Sequence, residues 1–249
     1  MPVTREEIVF AVAGETVCGT LLGQSERDRA ILFIHGWGGT QQQCLPQASA
    51  LANLGFLSLT FDLRGHGRTK DRIGLVSRED NLKDVVAAYD VLAARVKLTN
   101  IGLVGTSYGG YLGAILTSIR PVSHLALQAP AIYRDVDWMQ PKLKLHEDPE
   151  LAVYRSCVVG PNDDRALRSC AAYRGHVLIV ESQYDAVVPH TVTQSYALAC
   201  TQTQSFTFHV IENADHALSE ERWRNEYTSI LTSWFRATCL LGATLNGPL

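Results

Sequence analysis

Ser107 stands between two glycines, in the pattern Gly-x-Ser-x-Gly at residues 105–109. This pattern is typical of a nucleophile elbow, a tight strand-to-helix turn that exposes a serine hydroxyl above a sheet. Glycine on both sides removes side chains that would clash across so tight a turn. An apolar run precedes the serine and a segment of helical length follows it, which is the setting that the motif requires. The sequence therefore predicts a nucleophilic serine; the alternative is a glycine-rich turn with an ordinary surface serine.

A serine hydroxyl is a weak nucleophile until a neighbouring base takes its proton. Among the eight histidines, His216 lies in a polar loop directly after the last predicted strand. A structural role is the simpler interpretation of three others. His146 lies among charged residues, and His176 and His209 lie in predicted strands. Since the carboxyl ends of parallel strands meet at one edge of a sheet, the loop of His216 can approach Ser107. We therefore predict that His216 is the base.

Three carboxylates could orient that base. Asp185 closely follows a predicted strand at residues 177–180, again at a carboxyl end. Asp215 is adjacent to His216 in sequence, but neighbouring residues usually point apart. Glu181 lies within the strand end and is the reserve candidate. The sequence favours Asp185 and leaves the choice open.

The elements that must position these residues alternate between strands and helices, which predicts a mostly parallel sheet covered on both faces. The predicted strands are residues 7–13 and 16–22, which form an antiparallel hairpin, then 30–34, 57–61, 101–104, 124–128, 176–180 and 206–211. The predicted helices are residues 47–54, one capped by Asn81, 108–120, 163–173, 191–199 and a last one capped by Ser219. We expect one domain over residues 1–249.

Residues 131–162 interrupt this alternation with three prolines and several aromatic residues, and they show no clear period. A long insertion between alternating elements is usually functional. We interpret the segment as a small cap over the site, in which Trp138 and Met139 bind substrate. An irregular crossover is the alternative.

Composition excludes several classes of protein. A net charge of −3 and the absence of a basic patch give no reason to expect nucleic acid or an anionic membrane as a partner. The first ten residues lack the features of a signal peptide, and no apolar run is long enough to span a bilayer, so a cytoplasmic location is expected. The six cysteines contain no C-x-x-C pair, so we expect no metal site.

The chain resembles the α/β-hydrolase fold family over essentially its whole length. Four stretches carry the resemblance: H-G-W-G-G at residues 35–39, D-L-R-G-H-G at 62–67, G-T-S-Y-G at 105–109, and Y-D-A-V-V-P at 184–189 paired with A-D-H at 214–216. The order Ser, acid, His is also that of the family. The pattern is most similar to the branch of carboxylesterases, monoacylglycerol lipases and cinnamoyl esterases.

The resemblance implies roles for five residues. Ser107 would be the nucleophile, His216 the general base and then acid, and Asp185 the orienting carboxylate. The backbone N–H groups of Trp37 and Tyr108 would form the oxyanion hole. The side chain of Trp37 would also contact substrate. The fold implied is α/β, with a mostly parallel central sheet, helices on both faces, an N-terminal hairpin and a small cap insertion.

We therefore expect a serine hydrolase that cleaves the carboxylic ester bond of a small molecule through an acyl-enzyme, without a cofactor or metal. A peptidase or thioesterase with the same triad is the first alternative. A non-catalytic binding or interaction module is the second, and the complete triad argues against it. A homodimer is compatible with the sequence.

Overall fold

The computed structural model describes residues 3–24, 28–96, 100–136 and 138–244. Its centre is an eight-stranded sheet with the order β1-β2-β4-β3-β5-β6-β7-β8. The strands are β1 (Arg5–Val12), β2 (Glu15–Leu22), β3 (Arg29–Ile34), β4 (Leu57–Phe61), β5 (Asn100–Thr106), β6 (His124–Gln128), β7 (His176–Ser182) and β8 (Ser205–Ile211). β1 and β2 form an antiparallel hairpin that joins β4, and all pairs from β4 to β8 are parallel.

The described residues form seven α-helices, and most of them pack on the two faces of this sheet. They are α1 (Leu45–Asn53), α2 (Arg78–Ala93), α3 (Tyr108–Leu116), α4 (Pro149–Ser156), α5 (Arg165–Ala172), α6 (His190–Ala199) and α7 (Glu221–Thr244). The buried side chains of α1 and α7 belong to one core cluster, and those of α2, α3, α5 and α6 belong to the other. The predicted α/β class, with a mostly parallel sheet and an N-terminal hairpin, is confirmed.

β3 shows why an unbroken apolar run is needed at the centre of such a sheet. Leu32 and Ile34 pack into the cluster on one face, whereas Ile31 and Phe33 pack into the cluster on the other. Successive side chains of a strand point to opposite faces, so a strand covered on both sides needs apolar residues at every position. The same logic applies to β5, which ends at the candidate nucleophile.

The predicted N-terminal cap residue is wrong for two helices. α2 begins at Arg78, because Ser77 accepts a hydrogen bond from the backbone N–H of Asp80 and the two residues form a capping box. Asn81, the predicted cap, is buried and donates instead to the carbonyl of Arg64. The last helix begins at Glu221, two residues beyond Ser219.

The segment at residues 131–162 is more regular than its sequence suggests. It contains a 3₁₀ turn at Lys142–His146 and then α4, which the side chain of Asp148 caps by accepting from the N–H of Glu150. Ile132 and Tyr133 are buried in the main core cluster. Within the described ranges, no helix is both long and apolar enough to cross a membrane.

Candidate active site

Ser107 occupies a strained turn between β5 and α3, with φ 52° and ψ −113°. Two glycines make this turn sterically feasible. A Cβ at Gly105 would lie 2.6 Å from the carbonyl oxygen of Gly109, and a Cβ at Gly109 would lie 2.1 Å from that of Ile34. Because neither position can carry a side chain, the Gly-x-Ser-x-Gly pattern is a packing requirement of the turn. The Ser107 N–H donates to the carbonyl of Gln128, which fixes the turn against β6.

The structure brings His216 and Asp185 to Ser107. Nε2 of His216 lies 3.1 Å from Oγ of Ser107, and Nδ1 lies 2.6 Å from Oδ2 of Asp185. A carboxylate can only accept, so Nδ1 carries the proton and the lone pair of Nε2 faces the serine hydroxyl. The three side chains form a continuous hydrogen-bonded chain across 109 residues of sequence, from Ser107 to His216.

Asp185 is held rigidly for this contact. Its other oxygen, Oδ1, accepts hydrogen bonds of 2.8 and 2.7 Å from the N–H groups of Val187 and Val188. The Asp185 side chain is only 4% exposed, whereas that of His216 is 21% exposed. The carboxylate is thus shielded and fixed, while the imidazole retains access to solvent.

The two other candidate carboxylates lie elsewhere. Asp215 accepts hydrogen bonds from the N–H and hydroxyl of Ser219, so it braces the loop before α7. Glu181 accepts from Nδ1 of His190 at 2.9 Å and from the hydroxyl of Thr193. Neither Asp215 nor Glu181 forms a hydrogen bond with the imidazole of His216 in the described structure.

The candidate oxyanion donors lie beside the serine. A Cβ on Gly36 would be 3.4 Å from the carbonyl oxygen of Thr106 and 3.5 Å from Cβ of Ser107, so the chain runs close to the turn just before Trp37. Tyr108 begins α3, where the first N–H groups have no partner within the helix. In the described ranges, neither the Trp37 nor the Tyr108 N–H has a backbone acceptor outside regular elements. The assignment of these two N–H groups to an oxyanion hole stays a prediction.

Two buried histidines hold the loop of Trp37 in place. His35 donates from Nδ1 to the carbonyl of Gly36 at 2.7 Å and accepts at Nε2 from the N–H of Leu63 at 3.1 Å. Burial, with His66 nearby, lowers the pKa of His35 to about 3, so its ring stays neutral and keeps both bonds. His66 accepts at Nε2 from the N–H of Gly38 at 3.0 Å.

A cavity of about 540 Å³ opens at Ser107 and His216. Its wall combines apolar and aromatic side chains with amides, a combination typical of small-molecule sites. The residues that line it include Phe33, Trp37, Gln42, Gln43, Cys44, Pro46, Gln47, Gln128, Leu218, Arg224 and Tyr227. The loop of Trp37, the start of α1 and the start of α7 thus surround the space in front of the serine.

Trp138 and Met139, which the sequence placed at the substrate, do not line this cavity. The Trp138 ring packs against Tyr111 and lies between the guanidinium groups of Arg78 and Arg165, each 4.7 Å from its centroid. Met139 is 71% exposed. A substrate-binding role for these two residues stays a prediction without support from the cavity.

Sequence reasoning missed several residues that surround the serine. Gln128 ends β6 at the same sheet edge, and its side chain donates to the carbonyl of His216 at 3.3 Å. Its place at the end of a predicted strand was a usable signal. The glutamines before and within α1, such as Gln47, and Tyr227 of α7 had no such signal, because only the packing of the helices brings them to the site.

The fold and these motifs define an α/β hydrolase. A family model described as "Serine aminopeptidase, S33" matches residues 25–157, more than half of the 249-residue chain, so the protein belongs to this family of α/β hydrolases. No match was found among curated proteins.

Solved structures share the fold at low sequence identity. Est1E from Butyrivibrio proteoclasticus, solved with ferulic acid bound, is 17% identical with a TM-score of 0.72, over 94% of this chain and 99% of that one. A dienelactone hydrolase from Anabaena variabilis is 18% identical with a TM-score of 0.69, over 96% and 99% of the two chains. The esterase domain of a Rhodothermus marinus protein is 18% identical with a TM-score of 0.68, over 94% and 98%.

Proposed function

We propose that the protein is a serine hydrolase that cleaves carboxylic esters of small molecules through an acyl-enzyme on Ser107. The observation that carries this proposal is the chain of contacts from Ser107 Oγ to His216 Nε2 at 3.1 Å and from His216 Nδ1 to Asp185 Oδ2 at 2.6 Å. This geometry supplies a nucleophile, a base with its lone pair on the serine, and a carboxylate that holds the base in the required tautomer.

The reaction begins when Nε2 of His216 takes the hydroxyl proton as Ser107 Oγ attacks the ester carbonyl carbon. The carbonyl oxygen becomes an oxyanion and accepts hydrogen bonds from the N–H groups of Trp37 and Tyr108. Asp185 stabilises the imidazolium that forms. The imidazolium then gives its proton to the departing alkoxide oxygen, which releases the alcohol and leaves the acyl group on Ser107.

Hydrolysis of the acyl-enzyme repeats these steps with water. His216 takes a proton from water, whose oxygen attacks the acyl carbon, and the same two N–H groups hold the second oxyanion. His216 then returns the proton to Ser107 Oγ as the carboxylic acid leaves. Every proton and bond is accounted for by the three side chains, the ester and water, so the proposal needs neither cofactor nor metal.

An aminopeptidase is the second candidate function, because the description of the matched family names that activity. Such an enzyme must bind the positively charged amino group of its substrate, and a carboxylate is the usual partner for that charge. Among the described residues that line the cavity, none is an aspartate or glutamate, and Arg224 carries a positive charge. This lining favours an ester with a modest acyl or alcohol group over an N-terminal aminoacyl substrate.

The test is a panel of substrates with matched acyl groups: a p-nitrophenyl ester, a thioester and an alanine p-nitroanilide. We expect the ester to have the highest kcat/KM, and Ser107→Ala to lose about 10⁴-fold or more of its turnover. Ser118→Ala is the matched control, because its hydroxyl only donates to a helix carbonyl. Preference for the nitroanilide would establish the peptidase instead. Folded protein that turns over none of the three would support the non-catalytic alternative.

A further inference from the structure

Lys142 is fully buried, with none of its surface exposed. Its Nζ faces the rings of three aromatic residues, 4.3 Å from the centroid of Trp37, 4.6 Å from that of Tyr133 and 4.9 Å from that of Tyr108. These distances are within the range of a cation–π contact, and three rings around one ammonium group form an aromatic cage. Nζ also donates a 2.6 Å hydrogen bond to Nε2 of His146, one turn further along.

The electrostatic surroundings of Lys142 contain no compensating negative charge. Among the described residues, no carboxylate forms an ion pair with Nζ, and the nearby charges are the guanidinium groups of Arg155 and Arg78. Burial, and then the charges of Arg155 and Arg78, hold the pKa of Lys142 well below its usual value. Of the surroundings of Lys142, the aromatic cage is therefore the main feature that stabilises its charged ammonium form.

Other titratable groups also face Lys142. Burial lowers the pKa of His146 to about 4, with the charges of Lys142 and Arg155 as further causes, so its ring is neutral above pH 6. Burial also lowers the pKa of His66, which packs edge-on against the Trp37 ring. Burial raises the pKa of Tyr108 and that of Tyr133, which favours the uncharged phenol in both.

Two of the three cage residues carry the backbone N–H groups assigned to the oxyanion. Trp37 and Tyr108 also contact each other edge to face, with ring centroids 5.5 Å apart. Lys142 is thus a shared contact of both, supplied by a segment that is distant from them in sequence. Burial of an unpaired ammonium group costs free energy, so the position of Lys142 in this cage requires an explanation other than the filling of space.

We propose that Lys142 is a positioning residue for the oxyanion hole: its ammonium group holds the rings of Trp37 and Tyr108, and through them the two N–H groups beside Ser107. This inference rests on the proposed hydrolase function. It assigns residues 131–162 a role in the chemical step, whereas the cavity gives them none in binding.

The sign of the pH dependence follows from the charge. Lys142 is protonated at low pH, and as pH rises through its lowered pKa the ammonium group becomes a neutral amine and the cation–π attraction is lost. The oxyanion exists only in the transition state and tetrahedral intermediate, so a displaced N–H lowers kcat more than it raises KM. We therefore expect kcat to fall on the alkaline side.

The test compares kcat and KM for p-nitrophenyl acetate between pH 6 and 10.5 in the wild type, Lys142→Met and Lys144→Met. Lys144 lies on the same 3₁₀ turn but is exposed, which makes it the matched control. We expect Lys142→Met to lower kcat about 10-fold at pH values where the ammonium group of the wild type is protonated, the factor that corresponds to about 1.4 kcal/mol of cation–π attraction, and to lack the fall of kcat at higher pH. KM should change by less than about 3-fold.

A purely structural role would lower the melting temperature of Lys142→Met and leave the shape of the pH profile as in the wild type. That result overturns the inference, as does a Lys142→Met variant with the kcat of Lys144→Met. If the wild type shows no hydrolysis at all, the proposed function fails first. If the wild type hydrolyses the ester and Lys142→Met has the kcat and the pH profile of the wild type, the inference fails and the proposed function stands.

A measurement on the wild type decides the case in which Lys142→Met does not fold. The chain has five lysines, Lys70, Lys83, Lys97, Lys142 and Lys144. With ¹³C-labelled lysine, the Cε resonances can be assigned by single substitution of the other four. We expect the Lys142 resonance to titrate in step with the alkaline fall of kcat. A titration midpoint more than about one pH unit away from that fall overturns the inference.

Discussion

The two sides of Ser107 are built in opposite ways. On one side, the loop of Trp37 and the starts of α1 and α7 surround an open cavity of about 540 Å³. On the other side, residues 131–162 close against the body of the protein through buried groups, among them Lys142 and Tyr133. The open side combines a loop with the starts of two helices, and the closed side combines a 3₁₀ turn, α4 and the stretches between them.

This difference shows that a segment whose sequence lacks hydrophobic periodicity, such as residues 131–162, can still be tightly packed. This segment is attached by long cationic side chains: Nζ of Lys142 lies 4.3 Å from the centroid of the Trp37 ring, and Arg78 donates to the carbonyl of Arg134 at 2.9 Å. Charged side chains with aromatic and carbonyl partners pack well and leave no apolar stripe in the sequence. The sequence of residues 131–162 therefore resembled a loose cap.

The largest effect should come from Asp185, the carboxylate that holds the imidazole of His216. In Asp185→Asn the oxygen can still accept from Val187 and Val188, which leaves the amide nitrogen facing Nδ1 of His216. A donor there favours the wrong tautomer, and a change of this kind costs about 10⁴-fold in turnover in serine proteases. Steady-state kinetics should show a loss of this order with little change in Tm. Near-normal turnover would mean that Asp185 does not orient the base.

A pair of matched substitutions tests which side receives the substrate. Gln42 is exposed at the cavity, and Met139 is exposed on the opposite segment. We expect Gln42→Trp to lower kcat/KM for a hexanoate ester about 10-fold, and to change that for the acetate far less, because the added ring narrows the space for a longer acyl chain. Met139→Trp should leave both substrates within about 2-fold, since surface substitutions rarely perturb the fold.

The reverse outcome of this pair would restore the substrate-binding role predicted for Trp138 and Met139. Chain-length selectivity that changes in Met139→Trp and not in Gln42→Trp would place the acyl group on the side of residues 131–162.

A smaller effect is expected from the carboxylate next to the base. Asp215 accepts from the N–H of Ser219 at 2.9 Å and forms no hydrogen bond with the imidazole of His216 in the described structure. Asp215→Asn keeps an acceptor for that bond, so turnover should fall at most about 10-fold, equivalent to about 1.4 kcal/mol. The same assay used for Asp185→Asn provides the comparison. A loss equal to that of Asp185→Asn would exchange the roles of the two residues.

The smallest effect on activity, and a distinct effect on stability, should come from Asp164. Burial is the largest cause that raises its pKa from 3.8 to about 6, and its Oδ1 caps α5 by accepting from Ala166 and Leu167. The folded state therefore holds the proton to higher pH than the unfolded state. The stabilising contribution is complete below about pH 4 and is lost by about pH 6, a change of about 3 kcal/mol.

Asp164→Asn retains the cap and removes this titration. Urea unfolding between pH 4 and 8 should show that the variant gains stability relative to the wild type as pH rises, while kcat stays within about 2-fold. Asp163→Asn, at an exposed neighbouring position, is the control. A constant difference in unfolding free energy across this range would contradict the assigned protonation of Asp164.

Much of the fold was predictable because its central strands obey a simple rule. β4 and β6 begin and end where the sequence pattern predicts. In β4, Leu57, Leu59 and Phe61 alternate with Ser58 and Thr60, which is the period of a strand. The start of α2 was not predictable, because Ser77 and Asn81 are both good caps and only the contact of Asn81 with the Arg64 carbonyl decides between them. Capping preference alone fits both Ser77 and Asn81, and tertiary packing determines that Ser77 is the cap of α2.

The candidate site divides in the same way. Ser107, Asp185 and His216 could be placed from their positions after strands, because topology brings strand ends to one edge. The burial of Lys142 could not be predicted, because its surroundings in sequence, P-K-L-K-L-H, are typical of an exposed charged segment. The sequence also does not predict on which side of Ser107 the cavity opens, since that depends on how α1 and α7 pack.

The central claim is that Ser107 is the nucleophile, and mass spectrometry of a covalent adduct tests it most directly. After reaction with a fluorophosphonate, cleavage at lysine and arginine should release a peptide of residues 98–134, because the bond between Arg120 and Pro121 resists cleavage, and this peptide contains Ser107, Ser118 and Ser123. We expect one adduct per chain, located on Ser107 by fragmentation, retained in Ser118→Ala and absent from Ser107→Ala. An adduct on another residue, or full labelling of Ser107→Ala, would contradict the account.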